Sequence, residues 1–247
     1  MRAEARRQLK QDKFSRTTIQ LAEESLHWSV EHKGKLIVAA AVLVAIVAVV
    51  FGSWYYVEQQ DEKASADFSK AVQVLNAPVR PAGMPPQPNY PSYASTKERA
   101  TEAQKEFQAI INNYPHSNAA KFARYFLGVT AADMGDYAAA EGDLKAAASE
   151  RKYLVLPDKN LSSLARMALA SVYINTHRTQ DAIAIYKDLA QNPTDTVAKT
   201  TAEIALAEAY QAAGMNAEAK KQYEQIQKES PSGPAGQLAG EKLQAMK

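Results

Sequence analysis

Four histidines and a scatter of carboxylates are the side chains here that could do acid–base or metal chemistry, and catalysis needs such groups to converge on one atom. His27 and His32 are five residues apart, off the i, i+4 spacing with which a helix offers two imidazoles to one zinc ion. His116 follows Pro115 in a turn, and His177 falls where other parts of the chain place a turn glycine. Glu102, Glu106, Glu141 and Asp143 lie on segments with helical periodicity, where charges solvate an outer face. There is no cysteine, hence no thiolate nucleophile, no disulfide and no lipid-attachment site. Neither a G-x-S-x-G elbow nor a Gly-rich phosphate loop occurs. The expectation is a protein that is not an enzyme, with no cofactor, no metal and no small-molecule substrate. Its function is to be sought in surfaces.

The elements that would hold such surfaces begin with an apolar run. Leu36 to Val57 reads LIVAAAVLVAIVAVVFGSWYYV, 22 residues without a charge. Roughly 20 apolar residues cross ~30 Å of hydrocarbon at ~1.5 Å per residue. Eight basic residues precede it: Arg2, Arg6, Arg7, Lys10, Lys13, Arg16, Lys33 and Lys35. From Glu58 to Leu75 there are two, Lys63 and Lys70. The positive-inside rule therefore puts the N-terminus in the cytoplasm, and Trp54, Tyr55 and Tyr56 suit the far interface. A cleaved signal peptide fits worse, because its apolar core of ~7–15 residues follows a short basic region and precedes a small-x-small site. Within the run, Ala41/Ala45 and Ala48/Gly52 are small residues four apart, a spacing that lets helices approach closely and that an Ala-rich span also produces by chance.

This run divides the chain into a cytoplasmic tail (1–35), a transmembrane helix (36–57), a juxtamembrane helix (58–77), a Pro-rich linker (78–93) and a helical domain (94–247). In the tail the basic residues are interrupted by Glu4, Asp12, Glu23, Glu24 and Glu31, without an aromatic platform, so nucleic acid is not expected as a partner. Phe14, Thr18, Leu21, Ser25 and Trp28 follow helical spacing, so Phe14 to Val30 reads as a weakly amphipathic helix, either on the anionic inner leaflet or solvated beside it. In the juxtamembrane segment Ala64, Phe68, Ala71, Val72 and Leu75 recur at three- and four-residue spacing. Pro78, Pro81, Pro85, Pro86, Pro88 and Pro91 then exclude helix and central strand. That linker reads as an insertion that spaces or caps the following helices, or as a docking motif. After the span the chain carries 21 basic and 22 acidic residues, a balance that does not favour capture of polyanions.

The helical domain repeats. Leu206-Ala207, Tyr210, Gly214, Ala219, Tyr223 and Pro231 form one copy, and Leu169-Ala170, Tyr173, Ala182, Tyr186, Leu189 and Pro193 another. Leu127-Gly128, Gly135, Tyr137, Ala140, Leu144 and Ala147 form a third, preceded by a half-repeat of Ala103, Phe107, Ile110 and Pro115. Over Ala94 to Ser230 this resembles the tetratricopeptide-repeat (TPR) family. The small residues Gly128, Ala170 and Ala207 are 42 and 37 residues apart, against a usual ~34, and the Trp usual early in the first helix is absent. The excess falls in loops such as Glu150 to Asn160. The segment GPAGQLAGEKLQAMK reads as a C-terminal capping helix with Leu238, Leu243 and Met246 turned inward, and the juxtamembrane helix as a cap at the other end. The fold class is all-α: one N-terminal transmembrane helix followed by a TPR-like solenoid of helical hairpins.

The resemblance implies a concave face lined by the first helix of each repeat. Transferred position by position, that face comprises Phe122, Tyr125 and Val129, then Leu164, Met167, Ser171 and Ile174, then Thr201, Ile204, Glu208 and Gln211. Largely apolar, it would suit a peptide with hydrophobic side chains, and Met167 adds adaptability. These side chains could equally be core, or be covered by the chain's own Pro-rich segment.

A cytoplasmic tail, one span and an exported degenerate TPR domain are similar to the ancillary subunit of the bacterial Sec translocon. That resemblance implies an inner-membrane protein with a periplasmic domain, whose partners are translocon subunits, chaperones or exported polypeptide. The Pro-rich insertion departs from it. Anchored TPR proteins that scaffold the assembly of cytochromes, pili or the cell envelope share the layout and are the alternative.

Overall fold

The computed structural model describes residues 33–81, 83–85, 91–149 and 158–246. The helix expected over Phe14 to Val30 and the insertion from Glu150 to Pro157 lie outside the described residues. The chain divides into two units, Met1–Glu58 and Gln59–Lys247. Helix α1, Lys33–Asn76, contributes to both.

In the first unit, α1 is long and apolar enough to cross a membrane. Its described side chains stay exposed along the whole run, Val49 at 70% and Phe51 at 65% among them. Among the described residues no protein core covers this run.

The second unit continues from Gln59 through α2 (Thr96–Asn113), α3 (Asn118–Asp133), α4 (Tyr137–Ala148), α5 (Lys159–Asn175), α6 (Thr179–Gln191), α7 (Lys199–Ala212), α8 (Asn216–Glu229) and α9 (Pro234–Ala245). Each helix from α2 onward touches the next, and α3 touches α5, α5 touches α7, and α7 touches α9. Among the described residues α2, α4, α6 and α8 do not touch one another. This is a stack of hairpins in which the first helices lie side by side and the second helices stand apart. Polar side chains start several helices: Ser95, Ser117, Asp136 and Asp158 each accept a hydrogen bond from a first-turn N–H.

Three inter-helix turns have the same construction. At each, two N–H groups close on the end of the preceding helix, as Gly135 donates to Ala132 and Asp136 to Ala131. The turn residue must take a positive φ: Gly135 has +81°, Gly214 +72° and His177 +60°. Gly suits this region and His does not. Close approach constrains a second glycine. A Cβ on Gly128 would lie 2.5 Å from Leu144 Cγ, so this hairpin accepts glycine where the copies with Tyr186 and Tyr223 keep Ala170 and Ala207.

The usual Trp position, four residues before the small residue of each first helix, carries a charge instead. Arg166 reaches Asp188 on α6 at 2.7 Å, and Glu203 is buried within 3.4 Å of Lys199 Nζ. On α5 and α7 an ionic tie thus stands where the repeat pattern places a ring.

The segment of α1 after Gln59, expected as a cap, pairs with α2 as the first helix of a hairpin at that end of the stack. Ala64 and Ala71 are fully buried in one core with Phe107 and Ile110 of α2. Tyr114 Oη donates to Asp67 Oδ2 at 3.1 Å. The Pro-rich insertion separates the two helices in sequence, but its base is clasped. Arg80 N–H donates to the Tyr93 carbonyl (2.7 Å), Tyr93 N–H to the Pro78 carbonyl (3.1 Å), and Arg99 Nη1 to the Ala77 carbonyl (2.9 Å). Proline 78 lacks a donor but serves here as acceptor. At the other end α9 places Ala239, Leu243 and Met246 against the core, with Leu238 half-buried.

Candidate functional site: the first-helix face

The helices α3, α5 and α7 each bury one stripe and expose another. Ala123, Leu127 and Gly128 are buried on α3, as are Ala165, Leu169 and Ala170 on α5, and Ala202, Leu206 and Ala207 on α7. The eleven groove residues expected from sequence fall on the other stripe, and none is buried. Phe122, Tyr125, Val129, Leu164, Met167, Ile174, Ile204 and Gln211 are half-buried, and Ser171, Thr201 and Glu208 are exposed. Tyr125, Val129, Leu164, Met167, Ile174 and Ile204 rest sideways on the core. A 3.6-residue period explains this: residues spaced three, four and three apart along each helix share a face.

The sequence reading missed the continuation of that face into α1. Phe68 stands 6.2 Å from Phe122, 5.7 Å from Phe126 and 5.8 Å from Phe107, ring centroid to centroid. Phe107 and Phe126 are stacked at 5.3 Å, and Tyr125 meets Phe126 edge-on at 5.3 Å. Val72 and Leu75 join this cluster, half-buried. Their spacing was legible, but their pairing with α2 across residues 77–95 was not.

At the C-terminal end the face turns polar. Tyr186 Oη and Ser171 Oγ share a hydrogen bond at 3.2 Å, and Tyr223 Oη donates to Gln211 Oε1 at 3.0 Å. Glu208 Oε1 accepts from Lys242 Nζ of α9 at 3.0 Å. Burial raises the pKa of the Tyr186 phenol above its ordinary value. It pushes Tyr223 up to about 12, with Glu208 adding to the effect. Tyr125 is raised by burial alone. All three phenols are neutral at pH 7 and serve as hydrogen-bonding groups, not as bases.

No group of three or more His, Cys, Asp or Glu that could hold a metal occurs among the described residues. His116 and His177 are both exposed and lie in separate turns.

A stack of short antiparallel hairpins with small residues at the helix crossings defines a helical-repeat protein, a class that works by presenting surface. Comparison with known families makes this specific: the tetratricopeptide repeat-like domain matches residues 26–247, and the chain belongs to that family. Domains of this kind are generally non-catalytic and mediate protein–protein interaction. The matched range begins before Leu36 and so includes the apolar run. No curated protein and no solved structure matches the chain.

Proposed function

We propose that this protein is a single-pass, membrane-anchored interaction module whose first-helix face captures polypeptide at the outer side of the bacterial inner membrane. The carrying observation is that face: a row of half-buried apolar side chains from Phe68 to Ile204 that no described segment covers. Such surface is unfavourable in water by ~25 cal/mol per Å², so a partner with apolar side chains gains by covering it. The exposed apolar run of α1 supports the anchor, since hydrocarbon is the medium in which it is stable. The charge asymmetry about that run supports a cytoplasmic N-terminus and a periplasmic repeat domain. With that topology, the partners in reach are translocon subunits, periplasmic chaperones and emerging exported chains, and a role assisting secretion follows.

Photo-crosslinking from a probe at position 125 in cells tests this. Recovery of translocon subunits, chaperones or nascent exported chains supports it, provided that the double variant Tyr125→Glu, Ile204→Glu loses them while keeping its helicity. Capture that survives those two charges sinks the groove. Replacing the span with an unrelated one leaves a groove binder active, whereas loss of function on that exchange favours an envelope scaffold assembled through the membrane helix.

A further inference from the structure

The opposite side of the stack holds a second feature that the face just described does not use. Because α2 and α4 do not touch, a cleft of about 510 Å³ opens between them, floored by Leu127 of α3. Its α2 wall is a ladder of carboxamides: Gln104, Gln108 and Asn112 recur every four residues, with Ala109 between them. Gln108 Nε2 donates to Asn112 Oδ1 at 3.0 Å, which fixes the orientation of both amides. Gln108 Oε1 and the Asn112 amide protons are left for a ligand. Across the cleft stands Asp143 of α4, half-buried, with no hydrogen-bond or ion-pair partner among the described residues. Burial raises its carboxyl above the ordinary range, and the charge of Arg124 acts the other way. Lys105 on the rim is turned to Glu102, at 2.8 Å, so it does not neutralise Asp143.

Residues four apart on a helix are spaced by ~6 Å along its axis. Alternate residues of an extended chain are spaced by ~6.6–6.8 Å, and each presents one N–H and one C=O toward the same edge. Gln104 keeps both the acceptor and the donor of its carboxamide, Gln108 adds an acceptor and Asn112 a donor, so the row matches one whole N–H/C=O pair of such a chain, then one N–H and one C=O. No ring is among the lining residues on which a sugar would stack, which argues against a glycan. Asp143 accepts only, so it selects a cation. We propose that this cleft is a second binding site, for the main chain of an extended polypeptide segment carrying one Lys or Arg side chain that pairs with Asp143.

The test uses the full chain in detergent micelles and two fluorescein-labelled peptides of alternating Ser and Thr, one with a central Lys and one with Gln in its place. Fluorescence anisotropy should give saturable binding of the Lys peptide, and the Gln peptide should bind ~10-fold more weakly, the value of one charge-assisted hydrogen bond. Asp143→Asn should abolish that preference, leaving both peptides equally weak. The pair Gln104→Ala, Gln108→Ala, the first half-buried and the second exposed, should weaken both peptides by a further ~10-fold or more. The double variant Tyr125→Glu, Ile204→Glu should leave both affinities unchanged, which separates this site from the first-helix face. Equal affinity for the two peptides in the unaltered protein, binding indifferent to the carboxamides, or no saturation up to about 1 mM, a ceiling of ~4 kcal/mol, overturns the proposal.

Discussion

The two ends of the repeat stack fill the same structural position with different rings. From the first hairpin to the last, that position of the second helix holds Phe107, Leu144, Tyr186 and Tyr223. At the first end the ring contacts of Phe68, Phe107, Phe122 and Phe126 among the described residues are with one another and with Tyr125. At the last end each phenol ends in a hydroxyl tied to the first helix of its own repeat, at Ser171 or Gln211. Phenylalanine clusters exclude water without fixing direction, whereas a buried phenol needs a partner and so fixes one. The face is therefore compliant and apolar at one end, and rigid and polar at the other. A bound polypeptide would place its apolar residues toward Phe68 and Phe122 and its polar ones toward Glu208 and Gln211.

The largest effect expected from breaking this contrast is at Phe107. It is fully buried, and Phe107→Ala should cost ~3–5 kcal/mol, the range for emptying an aromatic site in a core. Tyr223→Phe, which keeps the ring and removes the bond to Gln211, should cost only ~1 kcal/mol. Urea titrations of the two variants measure both. Equal costs would mean that the last end, too, depends on ring volume alone.

The same phenol makes the contrast pH-dependent. Tyr223 has its folded value pushed up to about 12 from 10.0. A group whose folded value is raised binds more protons when folded, so its contribution is complete below pH 10 and is lost as pH rises toward 12. The urea midpoint should fall across that window, and fall less in Tyr223→Phe. Phe107, with nothing to ionise, predicts that hydrogen exchange in α2 responds less to this titration than exchange in α8. Uniform loss along the stack would erase the distinction.

Between the two ends lies an ionic clasp. Glu141 of α4 takes Lys145 at 2.6 Å and both oxygens accept from Arg178 Nη1 at 2.9 Å, while the Arg178 guanidinium lies 4.0 Å over the Tyr173 ring. The Lys145 and Arg178 hydrogen bonds hold the Glu141 carboxyl at about 2. A depressed carboxylate stabilises the fold above its ordinary value of 4.5, and that contribution is lost as pH falls from there toward 2. Glu141→Gln should cost ~1 kcal/mol at pH 7, limited by solvent screening, and should flatten the acid limb of a stability–pH profile. An unchanged acid limb would show that the clasp does not couple the ends.

What was legible in the sequence was local. The alternation of Leu127-Gly128, Leu169-Ala170 and Leu206-Ala207 with exposed positions follows from one helical period, and so the exposed stripe of α3, α5 and α7 could be written down residue by residue. The Phe68–Phe107 hairpin could not, because residues 77–95 separate its helices and nothing in a proline count says that Val79 and Tyr93 close the base. Glu141 and Arg178 are 37 positions apart and belong to different repeats, so no spacing rule links them. The carboxamide ladder of α2 was in plain view as an i, i+4, i+8 series, but its meaning depends on the gap to α4. Periodicity tells which side a residue faces, not what stands opposite.

The smallest expected effect concerns the turn that joins α5 to α6. His177 occupies the position that Gly135 and Gly214 fill in the neighbouring repeats, with a φ of +60° and the same hydrogen bonds. A side chain in the left-handed region costs roughly 1 kcal/mol relative to glycine. Against this, glycine raises the entropy of the unfolded chain, which returns part of the gain. His177→Gly should therefore stabilise the protein by ~0.5 kcal/mol, a small rise in urea midpoint without change in slope. The exposed imidazole makes no hydrogen bond among the described residues, so nothing else is forfeited. A destabilised variant would show that His177 acts through its side chain. The turn would then have to be counted with Arg178 and Glu141 as part of the clasp between the two ends, rather than as a repeat position filled by an unfavoured residue.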